Sequence, residues 1–232
     1  MKTALSTETL ATATYLKLRT DVIAGTFPFG AKLKILELCE RYEVSTAPMR
    51  EALNRAAKDG IVSQSEQRGF SVAPLSVEDL DDLLQTRLLL NEIGLRRSFE
   101  FGGAAWEEQV LVSWHRLSRI SYTPGAIDPA WESAHRVFHR SLISACKAPR
   151  IITYCDQLFD SADRYRFMAR TAPAKEPRFD DHKSITDAVI ARQPDEAVAH
   201  LKRHFQETAD RCRARLLPQD ETQSAASERP DC

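Results

Sequence analysis

Val44-Ser45-Thr46-Ala47-Pro48-Met49-Arg50-Glu51-Ala52-Leu53-Asn54-Arg55-Ala56-Ala57-Lys58-Asp59-Gly60 is the stretch on which the fold turns. A tight break at Val44-Ser45 precedes a run with helical spacing, in which Met49, Leu53 and Ala56 share one face and Gly60 marks the stop. Arg50 and Asn54 lie one step round the helix, clear of that apolar face. Upstream, Leu10 to Gly25 has the same periodicity, with Tyr15, Leu18, Val22 and Ile23 on one side. A turn at Phe27-Pro28-Phe29-Gly30 leads to a short helix over Leu36 to Tyr42. Downstream, Ile61 to Gln64 and Phe70 to Ala73 are short alternating segments around a polar tip, Ser65 to Gly69, which is a β-hairpin pattern closed by Pro74.

Helix, short helix, turn, helix and hairpin is the order of a winged helix-turn-helix. In that arrangement the helix from Thr46 enters a major groove of DNA, where Arg50 can reach a guanine edge or clamp a phosphate. The hairpin tip Gln67-Arg68-Gly69 would be the wing, with Arg68 against phosphate or minor groove and Gly69 permitting close backbone approach. Taken alone, Arg50 fits a solvated helix face equally well. The whole chain of 232 residues carries −1, from 32 Lys+Arg against 33 Asp+Glu, so a uniformly basic coat is excluded. Residues 1–75 hold ten Lys+Arg and eight Asp+Glu, a local +2 that leaves −3 for the remainder. Nucleic-acid contact must therefore come from a local surface.

From Ser76 onward no strand pattern recurs. Ser76 precedes Glu78 and Asp79, an N-cap followed by acids in the first turn, and its helix runs to about Glu100. Further helices are expected over Ala104 to Ser121, Asp128-Pro129 to Lys147, Pro149 to Arg170, Phe179 to Arg192 and Pro194 to Leu216. The expected class is mainly α: a winged helix-turn-helix over 1–75, an all-α six-helix antiparallel bundle over 76–217, and a flexible polar tail over 218–232. Mean hydropathy is −0.38 and no apolar run approaches the ~20 residues of a membrane span, so a cytoplasmic protein without a membrane partner is expected. Five cysteines stand scattered with no CxxC pair, the pattern of reduced and mostly buried thiols.

His135 and His139 stand at i, i+4, so both imidazoles leave one helix face. With single donors such as His182 and His204 from other helices, that is one way a bundle builds a metal site. An isolated pair at this spacing is more often a surface feature, and His115 and His200 read as ordinary, His200 being the one spare candidate. Glu132, one turn before His135, reads as an exposed helix carboxylate. No H-E-x-x-H spacing, Gly-rich phosphate loop, nucleophile elbow or Cys-His pairing is present, which argues against an enzyme.

Two resemblances sharpen these readings. Residues 8–75 resemble the GntR family of bacterial transcription regulators through Ile23-x-Gly25, Phe29-Gly30-x-x-Leu33, Val44 to Leu53, Asp59 to Val62 and Arg68-Gly69-Phe70-Ser71-Val72. The family usually reads V-S-R-T-P-V-R-E-A-L at the central stretch. Thr46 thus replaces an Arg that contacts DNA, Ala47 replaces a Thr, and Leu36 stands where a basic residue is frequent. The resemblance implies DNA contacts from Thr46, Ala47, Arg50, Asn54, Arg68 and Gly69, to an operator differing from the common family sequence or bound more weakly. Ser76 to Leu217 resembles the FCD ligand-binding domain of the FadR-type subfamily, and six helices suggest its VanR-like branch. The match rests on Leu83-x-x-x-Arg87, His135-x-x-Phe138-His139-x-x-Leu142, Asp181-His182-x-x-Ile185-x-x-Ala188 and Ala197 followed by His204.

Many FCD members bind a divalent ion through an Asp and three His. Here His139, His182 and His204 fall on the His positions, and His135 takes the Asp position. Four imidazoles favour borderline ions, zinc first and nickel or copper next, and leave a more cationic site for an anionic ligand. Arg87 matches an Arg that faces the effector pocket and is suited to gripping a carboxylate; Asn91 replaces the acid that usually follows. The implied protein is a homodimeric regulator, a repressor in the first reading, on double-stranded DNA with a near-palindromic operator, modulated by a small carboxylate at a metal centre. In the alternative the ion itself is the signal.

Overall fold

The computed structural model of the protein describes residues 9–65, 69–121, 128–170 and 179–217. The Arg68 wing tip and the 218–232 tail lie outside the described residues. The chain begins with α1 (Leu10–Ile23), whose N-cap Thr9 accepts a hydrogen bond from the Thr12 amide at 3.2 Å. β1 (Lys32–Leu33), α2 (Ile35–Tyr42) and α3 (Thr46–Lys58) follow. Glu43 closes α2 in the left-handed conformation at φ 55°, which makes the break expected at Val44-Ser45. β2 (Val62–Ser65) and β3 (Gly69–Val72) form the expected hairpin, entered from the tip through Gly69 at φ 76°. Tyr15, Leu18 and Val22 of α1 pack on Met49, Leu53 and Ala56 of α3 and on Ile61, Phe70 and Val72 in one core.

The sheet holds one strand more than the hairpin pattern: β1 pairs antiparallel with β3, in the order β1-β3-β2. Two residues are too short for any periodicity, and only the approach of β3 reveals the strand. The Gly30 amide donates to the Val72 carbonyl at 3.1 Å and the Val72 amide to the Ala31 carbonyl at 2.9 Å.

The second core belongs to α4 (Val77–Phe101), α5 (Ala104–Ser118), α6 (Pro129–Leu142), α7 (Pro149–Arg170), α8 (Phe179–Ile190) and α9 (Pro194–Leu216). α4 packs on α7 and α9, α5 on α6 and α8, and α8 on α9. Ser76 accepts from the Asp79 amide at 3.1 Å, and Asp128 from the Ala130 amide at 2.9 Å, so both expected caps form. α6 stops at Leu142, short of the expected Lys147. Beyond it, Ile143, Ser144 and Cys146 bond to carbonyls three residues back, and the Arg97 guanidinium donates to the Cys146 carbonyl at 2.9 Å. A cation from α4 thus satisfies an orphan carbonyl that a longer helix would have used. No described helix is long and apolar enough to cross a membrane.

Head and body meet through α1 and α7. Arg19 Nε donates to Asp160 Oδ2 at 2.9 Å, and Arg164 donates to the carbonyls of Gly60 and Ala73. The Tyr165 hydroxyl donates to Asp79 Oδ2 at 2.5 Å and sits 3.2 Å from the Ser76 carbonyl, pinning the link between the two units.

Candidate metal centre and DNA-binding face

α3 turns Met49, Ala52, Leu53 and Ala56 inward and leaves Thr46, Ala47, Arg50 and Asn54 exposed. That is the face a recognition helix presents to base edges. Asn54 and Lys58 share an open groove with Ser63 and Gln64 of β2, so helix and hairpin border one surface. The next cation on α3, Arg55, is exposed but rests on a ring: its guanidinium lies 4.1 Å from the Tyr15 ring centre, and Tyr15 in turn donates to Asp59 at 2.5 Å.

His135 and His139 from α6, His182 from α8 and His204 from α9 converge inside the body, all buried. Each offers one ring nitrogen, and the four atoms lie within 4.8 Å of one another. The sequence spacing placed the first pair; the packing of α8 and α9 against α5 and α7 brings the other two. His200 stays apart, its Nδ1 2.6 Å from Arg203. The walls are aromatic: Trp131 stacks on His135 at 4.6 Å between ring centres, Trp114 lies parallel to His182 at 6.2 Å, and Phe138, Phe159 and Phe205 fill the gaps.

Burial holds His135, His139 and His182 well below the ordinary histidine range, and neighbouring cations and imidazoles push the same way. His204 is also lowered by burial, but Asp181, 3.8 Å away, works against the shift. The rings are therefore neutral near pH 7, the form that offers a lone pair. Among the described residues, neither ring nitrogen of His182 has a hydrogen-bond partner. Each orphaned buried polar atom costs about 1–3 kcal/mol, so these nitrogens suit a group that supplies the missing partner. The donor set fits a borderline divalent ion.

A buried arginine, Arg87, and a partly buried one, Arg166, flank the cluster. The Arg87 guanidinium lies 4.0 Å from the Phe205 ring centre, and burial pulls its pKa down to about 10. Asn91 does not pair with it; its amide donates to the Arg87 carbonyl at 2.9 Å. Arg166, which the sequence reading missed, places Nη1 2.7 Å from His135 Nδ1 and Nη2 3.1 Å from Glu132 Oε2, and also pairs with Asp163. Glu132 is thus no exposed carboxylate: it is held against Arg166 beside the cluster. A tight crevice lined by Leu80, Leu84, Ala209 and Cys212 also includes Arg87 and Arg166.

The ion pairs continue outward. Arg136 pairs with Asp160 and lies 3.4 Å from Asp163, while Asp160 also holds Arg19 of α1. A contiguous series of charged groups therefore joins His135 to the first helix of the head. The one hint in the sequence was the spacing of Asp156, Asp160 and Asp163, which puts three acids on one side of α7.

A winged helix-turn-helix that exposes α3, carried on an all-helical body, defines a DNA-binding transcription regulator. The profile described as "Bacterial regulatory proteins, gntR family" matches residues 10–72, and that of the FCD domain matches residues 82–207. The chain belongs to the GntR family, with an FCD domain following the DNA-binding head. It is 36% identical over 203 residues to the "Uncharacterized HTH-type transcriptional regulator BphR" of Paraburkholderia xenovorans strain LB400, covering 85% of this chain and 82% of that one. It is 30% identical over 198 residues to the "HTH-type transcriptional repressor GlaR" of Escherichia coli K12, covering 82% and 90%. Among solved structures, E. coli McbR/YncC shares the fold, with a TM-score of 0.73 at 17% identity over 88% of this chain and 97% of that one. The family and these relatives are regulators of transcription, not enzymes.

Proposed function

We propose that the protein is an effector-responsive repressor whose hold on a near-palindromic operator is modulated by a small carboxylate bound at a metal centre in the FCD domain. The observation that carries this reading is the convergence of four buried, neutral imidazoles with unpartnered nitrogens beside Arg87. A divalent ion, zinc before nickel or copper, would sit within the cluster of His135, His139, His182 and His204 and supply open positions of positive charge to a carboxylate. Arg87 adds a guanidinium that can bind that carboxylate bidentately. Among the described residues no carboxylate joins the four histidines, so nothing in that donor set offsets the ion's charge.

In a homodimer the two α3 helices would enter successive major grooves, with Thr46, Ala47, Arg50 and Asn54 facing the bases and Arg68 and Gly69 at the wing. The series from His135 through Arg166, Asp163, Arg136 and Asp160 to Arg19 gives the body a physical hold on the head. A ligand that favours one arrangement of that series over another shifts operator affinity by its difference in affinity for the two. The same series supports the second reading, in which the ion alone is the signal, because it starts at a histidine of the cluster.

The test is metal analysis of tag-free protein, then thermal-shift screening of the zinc-loaded form against small carboxylates and operator-release assays with those that stabilise. One ion per chain and release by a carboxylate are expected. Release by zinc alone selects the second reading. Substoichiometric metal together with an unaltered His139→Ala variant overturns both.

A further inference from the structure

The four histidines are not equivalent. A guanidinium has only N–H groups to offer, so at 2.7 Å from Arg166 Nη1 the Nδ1 of His135 must be the acceptor. A neutral imidazole that accepts at Nδ1 carries its proton on Nε2. That Nε2 is the atom aimed into the cluster, 3.0 Å from Nε2 of His139. The proton order is thus set: Arg166 donates to His135 Nδ1, His135 Nε2–H donates to His139 Nε2, and the His139 proton sits on Nδ1.

A neutral histidine that ligates a metal through Nε2 carries its proton on Nδ1 and so cannot accept a hydrogen bond there, and a carboxylate on that side favours this form. On that side of His204 stands a carboxylate, Asp181, 3.8 Å from its Nδ1. His135 has a cation there instead. Arg166 is not free to swing away, because Glu132 and Asp163 grip the same guanidinium and Phe159 and Trp131 lie 5.2 and 6.0 Å from it.

Building on the metal-centre reading above, we infer that His139, His182 and His204 are the ion's three protein ligands, and that His135 is a hydrogen-bond donor whose Nε2–H selects an oxyanion, a small carboxylate, bound beside the ion. His135 and Arg87 then bind the effector together, one as a neutral N–H and the other as a guanidinium.

The experiment titrates zinc, by chelator competition, and cobalt(II), by visible absorption, into the tag-free full-length protein and its variants. His135→Gln, which keeps an N–H but is a poor ligand, should retain one ion per chain with affinity within about tenfold of wild type, while His139→Gln loses a hundredfold or more. Arg166→Gln, which offers His135 an acceptor, should shift the cobalt band as a fourth imidazole joins the ion, and the double variant Arg166→Gln/His135→Gln should not. Acetate should perturb the cobalt spectrum, and His135→Phe should weaken acetate about tenfold or more while His135→Gln does not. If His135→Gln loses the ion as His139→Gln does, His135 is a ligand and the inference is wrong while the metal centre stands. If the wild-type protein binds neither ion, the metal-centre reading itself fails.

Discussion

Without metal, the cluster makes the body acid-labile, and the size of the effect follows from its geometry. His135, His139 and His182 are buried and held neutral, with pKa values well below the ordinary one, by burial first and by neighbouring arginines and imidazoles next. In the unfolded chain each titrates near 6.5. Below that pH the unfolded state binds protons that the folded state refuses, so stability is fully present above about 6.5 and is lost as pH falls. Each such histidine contributes a slope of at most about 1.4 kcal/mol per pH unit below its unfolded pKa, so the three together remove up to about 4 kcal/mol between pH 7.5 and 5.5. Against a typical stability of about 5–15 kcal/mol that is a large fraction. The assay is urea unfolding in excess EDTA followed by tryptophan fluorescence. Trp106, Trp114 and Trp131 are the chain's three tryptophans and all lie in the body, two of them stacked on cluster histidines, so the signal reports that unit. His182→Phe should lower the pH-dependent loss by about one third, because it removes one of the three refused protons. A loss below about 1 kcal/mol, or one unchanged in His182→Phe, would refute the assignment of neutral buried rings.

Other outcomes can be measured independently. Arg50→Ala should weaken operator binding and lower the slope of log K against log salt by about 1, read by titration at several salt concentrations; an unchanged slope removes Arg50 from the phosphate contacts. Asp160→Asn should loosen head from body by about 2 kcal/mol, between the values for exposed and buried ion pairs, because Asp160 holds both Arg19 and Arg136. Its signature is a far-ultraviolet dichroism transition that separates from the tryptophan transition on heating. Gly94→Ala should destabilise by about 1–2 kcal/mol despite the better helix propensity, since its Cβ would lie 2.9 Å from the buried Ile143 Cγ2. Zinc added to EDTA-treated protein should raise the melting temperature and hold the ligating rings neutral to lower pH, which scanning calorimetry at pH 6 and 7.5 would show.

Much of the molecule is legible in its sequence because the signals are local. The apolar spacing of Met49, Leu53 and Ala56, the caps at Ser76 and Asp128, and the prolines opening α6, α7 and α9 each act within a turn or two of chain. The i, i+4 spacing of His135 and His139 likewise ensures a shared face whatever surrounds it. β1 and the early end of α6 were not legible, because a two-residue strand exists only through β3, and α6 gives way where Arg97 reaches across from α4.

The sequence by itself therefore determined the helices, the exposed face of α3 and the identity of the imidazoles, since a few covalent neighbours decide periodicity and capping. The tertiary structure decided what those imidazoles are. Packing of α6, α7, α8 and α9 removes water from the four rings and so keeps them neutral. It also sets Arg166, 31 residues along the chain from His135, against one ring nitrogen and so chooses which nitrogen holds the proton. Protonation state and tautomer depend on burial and on partners from distant elements, and no spacing along the chain encodes them.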